Sequence, residues 1–562
     1  MPATGEARLN QLATRSDVTD HSEKNLGLGS WRAATDAPDD NKKTLKEALR
    51  FVRQPLYLVE NDGVMVPELG GFGLLGAPSG EGLSLAGFAP PCLPENLGDP
   101  AFCRDLGIRF PYLGGSMAKG ISSAAIAEEL GRAGMLGFFG AAGLPLAQVE
   151  ATCDRLAASL GDIPYGFNLI HSPHEPDLER ELAELYIRKG VRIIEASAFL
   201  ALTLPLIRYR LHGIKRAADG SIVTPNRIIA KVSREELAAK FFAPAPEQFL
   251  RELVADGSIT AEQAELAALI PLAQEVTAEA DSGGHTDNRP AMALFPTIKS
   301  LAVRLERQYG YDCKLRVGLA GGISTPASAA AAFAMGAAYI MTGSVNQACI
   351  ESGTSETVRA LLAETRQADV TMAPAADMFE MGVTVQVLKR GTMFPMRAAK
   401  LYELYRAHKS LEDIPAAERD KLEKTMFQAP LDQVWRDTRA YFLVRDPSQV
   451  ARSERDPKHL MALVFRWYLG QAAHWAKDGA EKRRMDYQVW CGPSMGAFNE
   501  WVAGSFLEAP ERRQVVSVAL NILHGAAQLN RANFLRSQGL DLPQDAIAPE
   551  PLETAHIKEY LC

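Results

Sequence analysis

The chain has 562 residues, 47% of them apolar and 23% charged, with a formal net charge of −8. That length exceeds one simple domain and suffices to bury a large core, and the acidic balance excludes a general nucleic-acid binder, whose footprint is basic. No run of about 20 uninterrupted apolar residues occurs, so no membrane span is expected. Seven scattered cysteines (92, 103, 153, 313, 349, 491 and 562) form no C-x-x-C pair. They suit reduced thiols in a cytoplasmic protein with no structural zinc or other metal site. The polar first 45 residues carry no apolar signal core, and about the first 20 are expected to be loosely ordered.

Residues 45–75 read as a small β-rich unit. Leu56-Tyr57-Leu58-Val59 leads into Asn61-Asp62-Gly63 and then Val64-Met65-Val66. Asp-Gly between two apolar runs is a hairpin signal. The glycines at 70, 71, 73 and 76 lack G-x-G-x-x-G spacing on a strand-to-helix turn and read as plain loop.

From residue 110 a regular alternation begins. Apolar strands are expected at 110–113, 136–139, 165–170, 192–196, 227–232, 272–278, 315–319 and 338–341, with helices at 122–133, 145–159 and 176–188. A charged helix-like insertion at 244–270 interrupts the rhythm. Eight strands alternating with helices predict an α/β fold, a closed (β/α)8 TIM barrel. The rival is a doubly wound open sheet. Against it, the glycine pairs suited to phosphate follow the seventh and eighth strands, not the first.

After residue 375 helical patterns dominate, at 398–405, 431–442, 460–476 and 515–535. Five of the six tryptophans lie here (435, 467, 475, 490 and 501). The chain therefore divides into an N-terminal segment with its β-rich unit (1–107), a barrel (108–375) and a mainly helical module (376–562). The aromatics either line a cleft or fill a core, and core is the commoner fate.

Candidate chemistry collects at the expected strand ends. Gly321-Gly322 and Gly343-Ser344 end apolar runs where backbone N–H groups can approach an anion, and Thr325-Pro326 reads as a helix start. A phosphate seat there suits a flavin mononucleotide (FMN). His285 follows Asp281-Ser282-Gly283-Gly284 at the end of the sixth strand, where an imidazole can donate a proton or hydrogen bond. Lys231 interrupts Ile228-Ile229-Ala230 within a strand, where an unpaired ammonium is costly to bury. It either points into the barrel mouth, toward a flavin or phosphate, or faces solvent. Asn168 near the third strand end is either an amide partner for a ring edge or a satisfied loop residue. The basic islands 208–216 and Lys389, Arg390, Arg397 and Lys400 read as solvated faces, with a docking patch as the sharper alternative.

Tyr112-Leu113-Gly114-Gly115-Ser116-Met117-Ala118, Ala280-Asp281-Ser282-Gly283-Gly284-His285, Ala320-Gly321-Gly322-Ile323 and Thr342-Gly343-Ser344 resemble, in order and spacing, the FMN-dependent nitronate monooxygenases and FabK-type enoyl-acyl-carrier-protein reductases. Lys389-Arg390-Gly391-Thr392-Met393-Phe394-Pro395 and Trp490-Cys491-Gly492-Pro493-Ser494-Met495-Gly496 extend the resemblance to the PfaD-type trans-acting enoyl reductases of polyunsaturated-fatty-acid and polyketide synthases. Two departures stand out: Asp281-Ser282 precedes Gly-Gly-His, and the first turn reads Gly-Gly-Ser-Met.

The resemblance implies FMN at the barrel mouth, its phosphate on Gly322 and Gly343-Ser344, and its ring near Gly115, Met117, Asn168 and Lys231. Gly284 and Gly321 complete the expected cofactor-binding set. It implies reduction by NADPH and hydride transfer to the β-carbon of a 2-enoyl thioester carried on an acyl carrier protein. His285 would polarise the thioester or relay the α-proton. A homodimer is compatible with this reading. Two alternatives stay open: an oxidase of the nitronate monooxygenase type, and a non-catalytic barrel scaffold.

Overall fold

The computed structural model describes residues 28–33, 43–76, 82–171 and 176–561. The expectation for the first 20 residues and Cys562 lie outside this set. Two compact units are present: Met1–Pro91 with Arg531–Ile547, and Cys92–Asn530 with Ala548–Cys562.

The first unit is a five-stranded antiparallel sheet with the order Val64–Leu69, Leu56–Asn61, Leu83–Ala89, Gly29–Arg32, Phe72–Leu75. The expected hairpin forms its edge. Asp62 (φ 51°) and Gly63 (φ 77°) make the two-residue turn, both left-handed as a type I′ turn requires. Gly73, read as loop, lies instead within the strand Phe72–Leu75. Helix Leu45–Arg50 starts at a Thr44–Glu47 capping box. Its C-terminal carbonyls are met by Arg531, whose buried guanidinium donates to the carbonyls of Leu49, Phe51 and Gln54 at 2.7–3.1 Å.

The second unit contains the closed eight-stranded parallel barrel. Its strands are, in order, Tyr112–Gly114, Leu136–Phe139, Gly166–Ile170, Ile193–Ser197, Arg227–Val232, Glu275–Glu279, Arg316–Ala320 and Ile340–Thr342. Each pairs in parallel with the next, and the eighth closes on the first through Ile340↔Tyr112. These runs are apolar because a parallel strand in a barrel is covered on both faces. Inside, Leu113, Phe138, Ile229 and Met341 pack with Tyr339. Helix Pro100–Leu106 plugs the N-terminal end, its Phe102 stacked on Tyr339 with ring centroids 4.4 Å apart. This helix therefore belongs with the barrel although it precedes residue 108.

The 244–270 insertion is two helices, Glu247–Ala255 and Ala261–Ala267, added after the helix Glu235–Phe242 that follows the fifth strand. Beyond the barrel come the helices Phe394–Ala407, Leu431–Arg445, Pro457–Asp478 and Val515–Arg536. Trp435, Trp467, Trp475 and Trp490 pack against a core that includes Phe379, Phe394, Phe427 and Phe465. A small sheet of a kind the sequence does not suggest joins barrel and helices: Gly284–His285, Thr384–Leu388 and Val370–Pro374, all antiparallel. No described helix is long and apolar enough to cross a membrane.

Candidate active site

A cavity of about 910 Å³ opens at the C-terminal mouth of the barrel, where the strand-end loops of this architecture converge. All ten candidate residues line it: Gly115, Met117, Asn168, Lys231, Gly284, His285, Gly321, Gly322, Gly343 and Ser344.

Its charged floor is a buried network. Lys231 Nζ lies 3.1 Å from Glu195 Oε1 and 3.3 Å from Glu279 Oε1. The lysine thus points inward, away from solvent, with its charge already matched by two carboxylates. Burial opposes its ammonium form, yet the two carboxylates hold its pKa well above the ordinary lysine value. Burial also pushes the Glu279 carboxyl upward, against the pull of Lys231. Glu195, completely buried, further accepts hydrogen bonds from the Ser116 N–H (2.9 Å) and hydroxyl (2.7 Å). The serine that departs from the common Gly-Gly-Met turn therefore ties the first loop to the fourth strand. Asn168 lines the cavity and donates through Nδ2 to Ser197 Oγ at 2.6 Å and to the Glu195 carbonyl at 3.3 Å.

His285 sits in register with Val385 on the small sheet, and its Nε2 is 3.2 Å from Asp377 Oδ1. Burial lowers the imidazole pKa, but the hydrogen bond and charge of Asp377, with Glu279 behind it, outweigh burial and raise it above the usual histidine value. The loop carrying His285 is clamped. Gln386 donates to Asp281 Oδ1 (2.8 Å) and the Ser282 carbonyl (2.7 Å), and Asn288 donates to the same Asp281 oxygen at 2.8 Å. A Cβ on Gly283 would stand 2.8 Å from the Cys491 nitrogen, so the loop packs directly on the 490–496 run. Asp281, the second departure from the simpler motif, is the acceptor that holds this loop.

The glycine turns form a cradle. Gly321 and Gly322 are both left-handed (φ 78° and 79°), and a Cβ on Gly321 would meet the Ala280 carbonyl carbon at 2.6 Å. Cβ atoms on Gly322 and Gly343 would meet nothing within 4 Å and would stand in the cavity. Among the described residues the N–H groups of Gly322 and Ile323 find no protein acceptor. Helix Pro326–Ala334 begins just beyond, capped by a Thr325–Ser328 box. Ser344 Oγ accepts the Gly492 N–H at 3.2 Å, tying the eighth-strand turn to the helical region. Open backbone donors without side chains beside them fit a phosphate group.

Glu195, Glu279 and Asp377 belong to the site without having been singled out from sequence. Glu195 carried a signal, since Ile193-Ile194-Glu195-Ala196 places a carboxylate inside an apolar strand as Lys231 places an ammonium. Asp377 carried none, because only folding brings it to a histidine 92 positions away. The basic island at 208–216 is not a docking face as a whole. Arg210 is buried and donates to Thr224 Oγ1 (2.7 Å), and Arg208 pairs with Glu184. In the second island Arg397 pairs with buried Asp486, and Lys400 with Glu418.

Residues 408–487 match the inserted helical domain of [acyl-carrier-protein] S-malonyltransferase. The chain is 47% identical over 512 residues to a polyunsaturated fatty acid synthase protein of Thraustochytrium sp., a match that covers 90% of this chain and 34% of that protein. It is 43% identical over 436 residues to polyketide biosynthesis protein PksE of Bacillus subtilis, 77% of this chain and 56% of that one. The chain thus spans about a third to a half of these relatives' lengths. Among solved structures, the enoyl reductase domain of MlnA, from the macrolactin biosynthesis cluster of Bacillus amyloliquefaciens, superposes with a TM-score of 0.75 at 40% identity. The match covers 79% of this chain and 99% of that domain. With 40% identity over 99% of that domain, the chain belongs to the PfaD-type enoyl reductase family of polyunsaturated-fatty-acid and polyketide synthases.

Proposed function

We propose that the chain is an FMN-dependent enoyl reductase that uses NADPH to reduce the 2,3 double bond of enoyl thioesters carried on acyl carrier protein domains of a polyunsaturated-fatty-acid or polyketide synthase. One observation carries the reading: an Asp377-held His285 and a side-chain-free glycine cradle share one cavity, in a chain whose family includes an enoyl reductase domain.

The cradle fits FMN. Gly322, Ile323, Gly343 and Ser344 would hold its phosphate through backbone N–H groups, with Asn168 available to a ring edge. Bound FMN supplies hydride chemistry that no side chain offers. The protein's own work is binding, orientation and proton placement. Lys231, already paired with two carboxylates, fixes the floor and the Ser116 turn and brings no unmatched positive charge.

With the Asp377 carboxylate as acceptor, His285 carries hydrogen on Nε2, and its Nδ1 is left for substrate. In the imidazolium form, which Asp377 favours, Nδ1–H donates to the thioester carbonyl oxygen and stabilises negative charge there, or delivers its proton to the α-carbon. Gln386 and Asn288 hold the loop so that this donor needs no rearrangement.

The test is an absorbance spectrum of the purified protein before and after anaerobic NADPH. Flavin bands that NADPH bleaches and a 2-enoyl thioester restores are expected. Bleaching by a nitronate but not by NADPH would replace the reading with the oxidase, and absence of flavin after reconstitution would overturn it.

A further inference from the structure

Glycine is the poorest helix former after proline, so a glycine inside a long helix calls for a reason. Four described helices contain one. Three have a packing reason: a Cβ would meet Ile163 Cγ2 at 3.1 Å from Gly131, the Gln367 nitrogen at 2.0 Å from Gly496, and Pro326 Cγ at 2.6 Å from Gly525. The fourth, Gly470 in helix Pro457–Asp478, would meet nothing within 4 Å. No neighbouring protein atom requires its bareness. Gly470 instead lines the cavity, as do Leu469 and Ala473 on the same helix face.

Apolar side chains line the cavity here, and polar groups hold them in place. Val383, Val385 and Trp490 line the same cavity and pack in one cluster with Leu469, and Val385 is the register partner of His285. With its amide oriented to satisfy both neighbours, Gln488 donates to the Leu469 carbonyl at 2.9 Å and accepts from Trp490 Nε1 at 3.0 Å. Lys119 Nζ donates to the Gly470 carbonyl at 3.0 Å, tying the helix to the loop after the first barrel strand. A missing side chain, in an apolar wall contiguous with the proton donor, keeps space open for something apolar attached to the reacting group.

We propose that helix Pro457–Asp478 walls a compartment for the substrate's acyl chain, and that Gly470 sets the chain length it admits. This rests on the enoyl-thioester reading of the site.

The variants Gly470→Ala and Gly470→Leu test it on the full chain. Ala at a bare helix position is expected to leave the melting temperature unchanged or higher, so it guards against misfolding. For Gly470→Leu the kcat/KM for a twelve-carbon 2-enoyl thioester is expected to fall at least about tenfold relative to that for a four-carbon one, since hydrophobic pockets discriminate by such factors per methylene. Calorimetric binding of the saturated, unreactive twelve-carbon thioester is expected to weaken in parallel, with the four-carbon ligand unaffected. Gly470→Ala is expected to shift the same ratio in the same direction by about threefold, a smaller step because one methyl fills less of the space. An unchanged long-to-short ratio in folded Gly470→Leu, or in Gly470→Ala should the leucine variant not fold, would overturn the proposal. If the native protein reduces no enoyl thioester, the function reading falls, and the long-chain binding comparison still decides the compartment.

Discussion

Lys231 offers the sharpest test of the site's electrostatics. In Lys231→Met a chain of similar length replaces the ammonium, leaving Glu195, 0% exposed, and Glu279 without their shared counter-charge. Removing one partner of a buried ion pair costs about 3–5 kcal/mol. Unfolding entropy of about 2.1 cal/mol/K per residue over a unit of roughly 450 residues comes to about 0.95 kcal/mol/K, so the melting temperature should drop by about 3–5 °C. The pH dependence has a definite sign. Burial already pushes the Glu279 carboxyl upward, and without the pull of Lys231 it holds its proton to still higher pH in the folded than in the unfolded state. The stability this gives is complete below the ordinary carboxylate range and lost as pH rises through the raised folded value. The deficit should therefore be widest at pH 8 and narrow at pH 5, read by scanning calorimetry. Lys231→Met with Glu195→Gln should recover part of it, one buried charge having gone. A variant melting within about 1 °C of native at pH 8, or a deficit equal at both pH values, would refute the buried-network argument.

His285→Ala should retain bound flavin and lose about 10²-fold in kcat for enoyl thioester reduction, the usual contribution of one placed donor; unchanged turnover would remove it from the mechanism. If the imidazolium is the working form, native activity falls as pH rises through the raised His285 pKa. Asp377→Asn takes away the raising partner, so that fall should begin at lower pH, and an unmoved profile would dissociate Asp377 from catalysis. Gly343→Val would place a branched side chain in the open space of the cradle. The purified protein should carry little flavin and regain it only weakly on titration, whereas full occupancy would place the phosphate elsewhere.

The reach of the sequence differs between fold and site. All eight barrel strands were legible, because parallel strands covered on both faces are mostly apolar, and glycine-bearing turns punctuate them. The hairpin at Asp62-Gly63 was legible for a local reason, the left-handed conformation demanded at both turn positions. Strand-end logic brought Lys231, Asn168 and His285 to the barrel mouth.

What lay beyond it was whatever depends on distant chain. That Lys231 is neutralised follows from Glu195 and Glu279, one strand to either side of it. Sequence alone shows a lysine in an apolar run, not which carboxylates the barrel's register sets beside it. Arg210 looked like one of a row of surface charges, yet its helix turns it inward to Thr224 and Asn226. Asp377 and Gln386 reach His285 and its loop only because the strand Thr384–Leu388 pairs with two residues of that loop. The sequence by itself determined the local quantities: period, turn chemistry, caps, and hence the barrel and its glycine cradle. Tertiary structure alone decided which charges meet, which glycine faces open space and which histidine nitrogen meets Asp377. Pairing across tens or hundreds of residues is set by register and packing, which leave no local pattern to read.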